Sequence, residues 1–288
     1  MTKDTIRLKF TLAYQGTEFA GWQLQPEGQG RSVQGCLETA LEQLCGRFVR
    51  VHGASRTDSG VHALGQHAHA DIPASRGHLP FRRALNALLP RDVSVLAVER
   101  VPADFHCRVH SVRKFYAYTL WHEAEFILPQ RRPFVWRVGR LDTRAMLEAA
   151  SLLVGTHDFA GFQNTGTPVR DTVRTIESIA PHPGQTPQET VWRVTGPGFL
   201  KQMVRNIMGC LVEVGRGKAN PDFVRSVLVE KDRSLAPATA PAKGLCLEGM
   251  EFAYRERCED QSHAGAERPE LDPGEEGLGR EGGAAPRG

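Results

Sequence analysis

Val49-Arg50-Val51-His52-Gly53-Ala54-Ser55-Arg56-Thr57-Asp58-Ser59-Gly60-Val61-His62 is the stretch on which the fold of this 288-residue chain turns. Val49 to His52 reads as a strand, and His67 to Ile72 supports a second. Between them, Asp58-Ser59-Gly60 is turn chemistry: Asp closes an Asx-turn and Gly accepts positive φ. The unit is therefore strand, turn, strand. On its N-terminal side, Val33, Leu37, Leu41 and Leu44 fall at helical spacing behind Ser32, a good N-cap. Before that helix, Ile6, Leu8, Phe10 and Leu12 alternate as one strand face. On the C-terminal side follow a helix from Phe81 to Leu89, stopped by Pro90, and strands over Val93–Val101 and Phe115–Trp121.

A second set of elements occupies the rest of the body. Helices are expected over Thr143–Val154, Phe199–Val214 and Pro221–Glu230, and strands over Thr172–Ala180, Thr190–Thr195 and Cys246–Tyr254. Strands and helices mix without a fixed repeat, so the class is α+β rather than doubly wound. Each half reads roughly strand, helix, strand, strand, with a boundary between about 105 and 140. The working division is residues 1–108, 109–255 and a tail, 256–288. The tail is rich in Gly, Glu, Pro and Ala and is expected to be disordered.

Composition is ordinary for a globular body, 40% hydrophobic and 24% charged. The six cysteines contain no CxxC pair, which argues against a zinc ribbon and suits a reducing cytoplasm. No apolar run approaches the ~20 residues that span a bilayer, and the first residues lack an apolar signal core, so no membrane association is expected. The net charge of +3 conceals an asymmetry. Residues 256–288 hold nine Asp/Glu and four Arg, a balance of −5, leaving 32 Lys/Arg against 24 Asp/Glu, or +8, in residues 1–255. A basic body suits a polyanionic partner such as nucleic acid.

Three stretches carry candidate chemistry. Arg56 stands two residues before Asp58, and a guanidinium near a carboxylate keeps it ionised, as a nucleophile or base must be. A plain structural turn explains the same residues. In Gly198-Phe199-Leu200-Lys201-Gln202-Met203-Val204-Arg205-Asn206, Lys201 and Arg205 lie four apart on a helical spacing. They fit either a solvated basic face or cations presented to phosphate or to an active-site carboxylate. Arg113-Lys114-Phe115-Tyr116-Ala117-Tyr118 interleaves bases with aromatics, as stacking on a nucleobase requires, and as a half-buried strand also would. His62, His67 and His69 lack an acidic or cysteine ligand at a useful spacing, so no metal site is expected. Neither a Walker loop, a dinucleotide GxGxxG nor a GxSxG is present.

Together these stretches resemble the tRNA pseudouridine synthase A family, over about Leu8 to Tyr254. Tyr14-Gln15-Gly16-Thr17-Glu18-Phe19-Ala20-Gly21-Trp22-Gln23 is similar to Y-D-G-x-x-F-x-G-W-Q, with Gln15 where the family carries Asp. Ser32-Val33-Gln34-Gly35 resembles T-V-Q-G. Arg56-Thr57-Asp58-Ser59-Gly60-Val61-His62-Ala63 resembles R-T-D-A-G-V-H-A, the most specific signature. Phe105-His106-Cys107-Arg108 resembles F-H-A-R, and Lys114-Phe115-Tyr116-Ala117-Tyr118 fits K-x-Y-x-Y. Gly155 to Phe159, Arg174 to Ile176, Gly198 to Ile207 and Ala240 to Leu245 also fit.

The resemblance implies two α+β halves whose antiparallel sheets join side by side, with helices on one face and an active-site cleft between the halves. It also implies a cytoplasmic homodimer acting on tRNA, without metal or other cofactor, at uridines 38, 39 and 40 of the anticodon stem-loop. Asp58 is then the covalent nucleophile, attacking C1′ of the ribose or C6 of the uracil. Tyr116 is expected to stack on the uracil and Arg205 to pair with Asp58. Arg56 is expected to hold the flipped nucleotide's phosphate or to wedge the vacated stack, and Arg113, Lys114 and Lys201 are expected on the RNA backbone. Rival readings are a non-catalytic RNA-binding protein, a metal-dependent hydrolase using His62, His67 and His69, and a related synthase acting at other RNA positions.

Overall fold

The protein is seen in a computed structural model that describes residues 4–26, 28–164 and 171–253. The tail expected to be disordered, together with Tyr254, lies outside the described residues. The chain runs β1 (Thr5–Tyr14), α1 (Val33–Cys45), β2 (Val51–Gly53), β3 (His62–Pro73), α2 (Phe81–Leu88), β4 (Val93–Val101) and β5 (Ser111–Trp121). It continues through β6 (Trp136–Arg137), α3 (Thr143–Ser151), β7 (Gly155–Asp158), β8 (Val173–Ile176), β9 (Ser178–Pro183) and β10 (Glu189–Gly196). The last elements are α4 (Met203–Gly215), α5 (Asp222–Glu230) and β11 (Leu245–Phe252).

One large sheet has the order β4-β1-β3-β11-β5-β10-β9, with β2 added on β3 and β6 on β5; β7 and β8 form a separate pair. Most pairings are antiparallel. Two are parallel, β11 on β3 (Cys246 opposite His62, Leu247 opposite Ala63) and β6 on β5. The sheet is therefore mixed, which corrects the expected antiparallel arrangement. A parallel neighbour needs a long crossover, and the whole chain between β3 and β11 supplies one.

The period-2 stripe of β1 does what its pattern demands. Leu8, Phe10 and Leu12 are buried, and they join Val33, Leu37 and Leu41 of α1 and Met203, Ile207 and Leu211 of α4 in one core. Each such side chain contributes roughly 1.5–3 kcal/mol when removed from water. Ser32 caps α1, its Oγ accepting from Gly35 N at 3.1 Å, and Gly46 closes the helix at φ 70°. Asp142 caps α3 in the same way, accepting from Ala145 N at 3.0 Å.

Several expectations shift, β3 beginning at His62 rather than His67 and β5 at Ser111 rather than Phe115. The strand read over Thr172–Ala180 is two strands, β8 and β9, which belong to different sheets. Helix α3 ends at Ser151 rather than Val154. Helix α4 starts at Met203 rather than Phe199, because Gln202 takes a left-handed conformation (φ 60°) and interrupts the helical path. Lys201 thus precedes the helix instead of sharing a face of it with Arg205.

Candidate active site

The turn at Asp58 is real and is held from outside itself. Val61 N donates to Asp58 O at 3.1 Å, and Gly60 sits at φ 79°. The segment after β1 braces this turn. Trp22 N donates to Thr57 O (3.1 Å), Gly60 N and the Ser59 hydroxyl donate to Phe19 O (3.2 and 3.1 Å), and the Tyr14 and Thr57 hydroxyls bond at 2.8 Å. Gly21 is required there. It has φ 109°, and a Cβ would lie 2.5 Å from Thr57 O. Gln15, where the resembled motif has Asp, is exposed and turns away, its Nε2 donating to Thr17 Oγ1 at 3.4 Å.

Asp58 meets Arg205, whose Nη1 donates to Asp58 Oδ2 at 3.2 Å; their side chains are 25% and 12% exposed, so the pair is only partly screened by water. Arg205 is aimed by its other end, its Nε donating to Ala240 O at 2.8 Å. Ala240 N in turn donates to Arg205 O at 3.3 Å. Arg56 is exposed along the cleft, so the guanidinium that pairs with Asp58 comes from a helix 147 residues away and not from two residues upstream.

Asp58 opens on a cleft of about 840 Å³, whose lining includes Arg56, Lys114, Tyr116, Phe199 and Lys201. Tyr116 comes from β5. Its hydroxyl is 3.0 Å from Ser55 Oγ and its ring meets Phe199 edge-to-face at 5.2 Å. Burial, and then the nearby Asp58 charge, push its phenol up to about 12. Lys114 is half-buried, its Nζ 3.3 Å from Ala54 O and 3.5 Å from Ser55 Oγ, and burial brings its amine down to about 8. Arg113 does not line the cleft and is paired with Glu177 and Glu251.

Sequence reading missed Ser55 and Gln66. Gln66 is fully buried, accepts from Ser55 N at 3.3 Å and donates to Ser55 O at 2.8 Å. A polar residue in the middle of the β3 stripe was the available signal. The histidines do not converge on one point. His62 bonds Gly16 N and Pro133 O, His67 bonds Thr11 Oγ1, and His69 bonds Cys107 Sγ. Among the described residues no group of three or more His, Cys, Asp or Glu is placed to hold a metal ion, and no helix is long and apolar enough to cross a membrane.

A carboxylate fixed by a guanidinium at the mouth of a cation-lined cleft narrows the chemistry, and known proteins narrow it further. The family profile described as "tRNA pseudouridine synthase" matches residues 11–109 and 149–253. The chain is 58% identical over 249 residues to "tRNA pseudouridine synthase A" of Solidesulfovibrio magneticus, covering 85% of this chain and 91% of the relative. It is 54% identical over 246 residues to the protein of that name from Maridesulfovibrio salexigens, covering 85% and 90%. The counterpart from the more distant Geobacillus kaustophilus is 42% identical over 255 residues, covering 88% and 96%. With the profile covering more than half of the chain, Asp58 and Arg205 included, and relatives of that name this similar over nearly their whole length, the chain belongs to the tRNA pseudouridine synthase family and is an isomerase acting on tRNA uridine.

Proposed function

We propose that the enzyme converts uridine to pseudouridine at positions 38, 39 and 40 of the tRNA anticodon stem-loop, with Asp58 as covalent nucleophile. The observation that carries this reading is the Asp58–Arg205 pair at the cleft that Tyr116 also lines. The reaction breaks the N1–C1′ bond, turns the base and rejoins it through C5. The target base must leave its stack, at a cost of a few kcal/mol that contacts in the cleft offset. A carboxylate attacking C1′ or C6 must be ionised although partly withdrawn from water, and Arg205 favours that form.

The Tyr116 ring, packed edge-to-face with Phe199, lines the cleft and is the aromatic group suited to stack on the uracil. Arg56 and Lys201, both exposed along the cleft, are suited to the phosphates flanking the flipped nucleotide. Arg113, engaged with two carboxylates, is a weaker candidate for that work. We read the body as two halves, residues 1–108 and 109–255, that contribute Asp58 and Tyr116–Arg205 respectively, and the working unit as a cytoplasmic homodimer that binds tRNA.

The test is tritium release from tRNA carrying 5-tritiated uridine. Wild type releases label from uridines at 38, 39 or 40 placed one at a time. Asp58→Ala binds the tRNA and releases none. Normal turnover by Asp58→Ala would remove the nucleophile, and label lost from other positions alone would remove the site assignment.

A further inference from the structure

Lys114 is an odd lysine for an RNA-binding cleft. Its strand neighbours on either side, Gly196 of β10 and Met250 of β11, carry no charge. Its amine is turned inward to Ala54 O and Ser55 Oγ, and no carboxylate among the described residues pairs with it. Lys201, by contrast, is exposed. Ser55 joins Lys114 to Tyr116, since its Oγ lies 3.5 Å from Lys114 Nζ and 3.0 Å from the Tyr116 hydroxyl. Gln66 grips the backbone of Ser55 on both sides and fixes that junction.

We propose that Lys114, acting through the Ser55 hydroxyl, sets the direction of the Tyr116 hydroxyl and is the final acceptor of the proton that leaves C5 of the uracil. The inference rests on the isomerisation described above and names the base it leaves open.

A charged Lys114 has only donors. It donates to Ser55 Oγ, Ser55 donates to Tyr116, and the Tyr116 proton points into the cleft, where it can take up nothing. A neutral amine reverses the chain. Tyr116 donates to Ser55, Ser55 donates to Lys114 Nζ, and the phenol oxygen offers a lone pair to the cleft. Once C5 is joined to C1′, the C5–H bond breaks and its electrons become the ring's C5=C6 bond. The pair displaced from C6 goes to N1, which takes a proton from water, or returns to the Asp58 carboxylate if that attacked C6. The C5 proton passes to Tyr116, the Tyr116 proton to Ser55 and the Ser55 proton to Lys114, which lines the cleft and returns it to solvent.

Energetics favour a relay over a standing phenolate. Burial holds the Tyr116 phenol at about 12, so a free phenolate is rare at neutral pH. Burial, with Arg108 adding repulsion and Cys107 opposing it weakly, holds the Lys114 amine at about 8. That is where a general base works best. The other titratable and charged groups lining the cleft include His52, Arg56, Asp58, His106, Arg108 and Tyr116. The 3.5 Å link is loose, as catalytic hydrogen bonds often are before substrate closes the site.

The experiment is single-turnover tritium release from 5-tritiated uridine in tRNA between about pH 6 and 9, with tRNA affinity measured alongside, for wild type, Lys114→Met and Ser55→Ala. The wild-type rate is expected to rise nearly tenfold per pH unit and to level off above about 8. Both variants are expected to be at least roughly tenfold slower and flat in pH, with tRNA affinity within about twofold. In both, deuterium at C5 slows product formation, because loss of the C5 proton has become limiting. Variants that keep the wild-type rate and its rise with pH overturn the relay. So does a defect that saturating tRNA restores, which makes Lys114 a phosphate contact. Should Lys114→Met fail to fold, Ser55→Ala, lacking one oxygen, carries the same decision. Wild type that releases no tritium overturns the isomerisation reading itself, a distinguishable failure.

Discussion

Gln66 is fully buried, and both ends of its amide are used. Its Oε1 accepts from Ser55 N (3.3 Å) and His67 N (3.1 Å), while its Nε2 donates to Ser55 O (2.8 Å) and the Tyr14 hydroxyl (3.4 Å). Gln66→Leu keeps the bulk and strands the polar atoms of Ser55, at about 1–3 kcal/mol for each buried group left unsatisfied. Urea unfolding should report that loss, and tritium release should fall with it because the Ser55–Tyr116 contact loses its frame. Asp58 was legible differently. Its own residues spelled a turn, and the turn exists; resemblance alone supplied the nucleophile. From the residues alone Arg56 was the nearest guanidinium, and the pairing with Arg205 came from the resemblance, because nearness in sequence is not nearness in space. The tight bend at Asp58–Val61 leaves Arg56 exposed while Arg205 reaches the carboxylate across the core.

Among the elements, the segment from Tyr14 to Trp22 is the brace of the Asp58 turn, and its glycines show how closely it is fitted. Gly21→Ala puts a Cβ 2.5 Å from Thr57 O at a φ of 109°, so the turn must move. Displacing Asp58 by about an ångström costs on the order of a hundredfold in turnover. We expect Gly21→Ala to lower kcat far more than it weakens tRNA binding, which steady-state kinetics and filter binding would separate. Ser32→Ala is the contrasting case, losing roughly 1 kcal/mol of stability as an N-cap does, with kcat unchanged. That cap was readable because it is local. The start of α4 was not. Phe199, Met203 and Ile207 keep helical spacing, but nothing in that spacing reveals that Gln202 is left-handed, with its side chain bonded to Asn164. The break between β8 and β9 is hidden for the same reason, since Glu177 N turns to bond Thr195 O at 2.8 Å.

For the molecule as a whole, charge and protonation give two measurable consequences. With +8 on residues 1–255, tRNA affinity should fall linearly with salt on logarithmic axes, by about 0.7–0.9 for each phosphate neutralised. Burial brings His67 down to about 4 and His69 to about 3 from their ordinary 6.5. Both rings are neutral in the fold and gain a proton on unfolding below 6.5. Stability is therefore full above that pH and is lost as pH falls through about 4 towards 3. The urea midpoint should drop between pH 7 and 5, and the drop should shrink in His67→Gln and His69→Gln. The α+β class was legible from alternating periods, but the strand order was not. Local pattern says that Cys246 to Phe252 is a strand; it does not say that this strand lies between β3 and β5. That position has a consequence during synthesis. Until β11 emerges from the ribosome, β3 at His62 and Ala63 and β5 from Ser111 to Tyr118 lack the strand they pair with there, and offer open backbone groups to other chains. The sheet is completed by contacts of very long sequence separation, which makes folding slow and late. A nascent chain stopped before Leu245 should be a client for chaperones, even though it already carries Asp58, Tyr116 and Arg205.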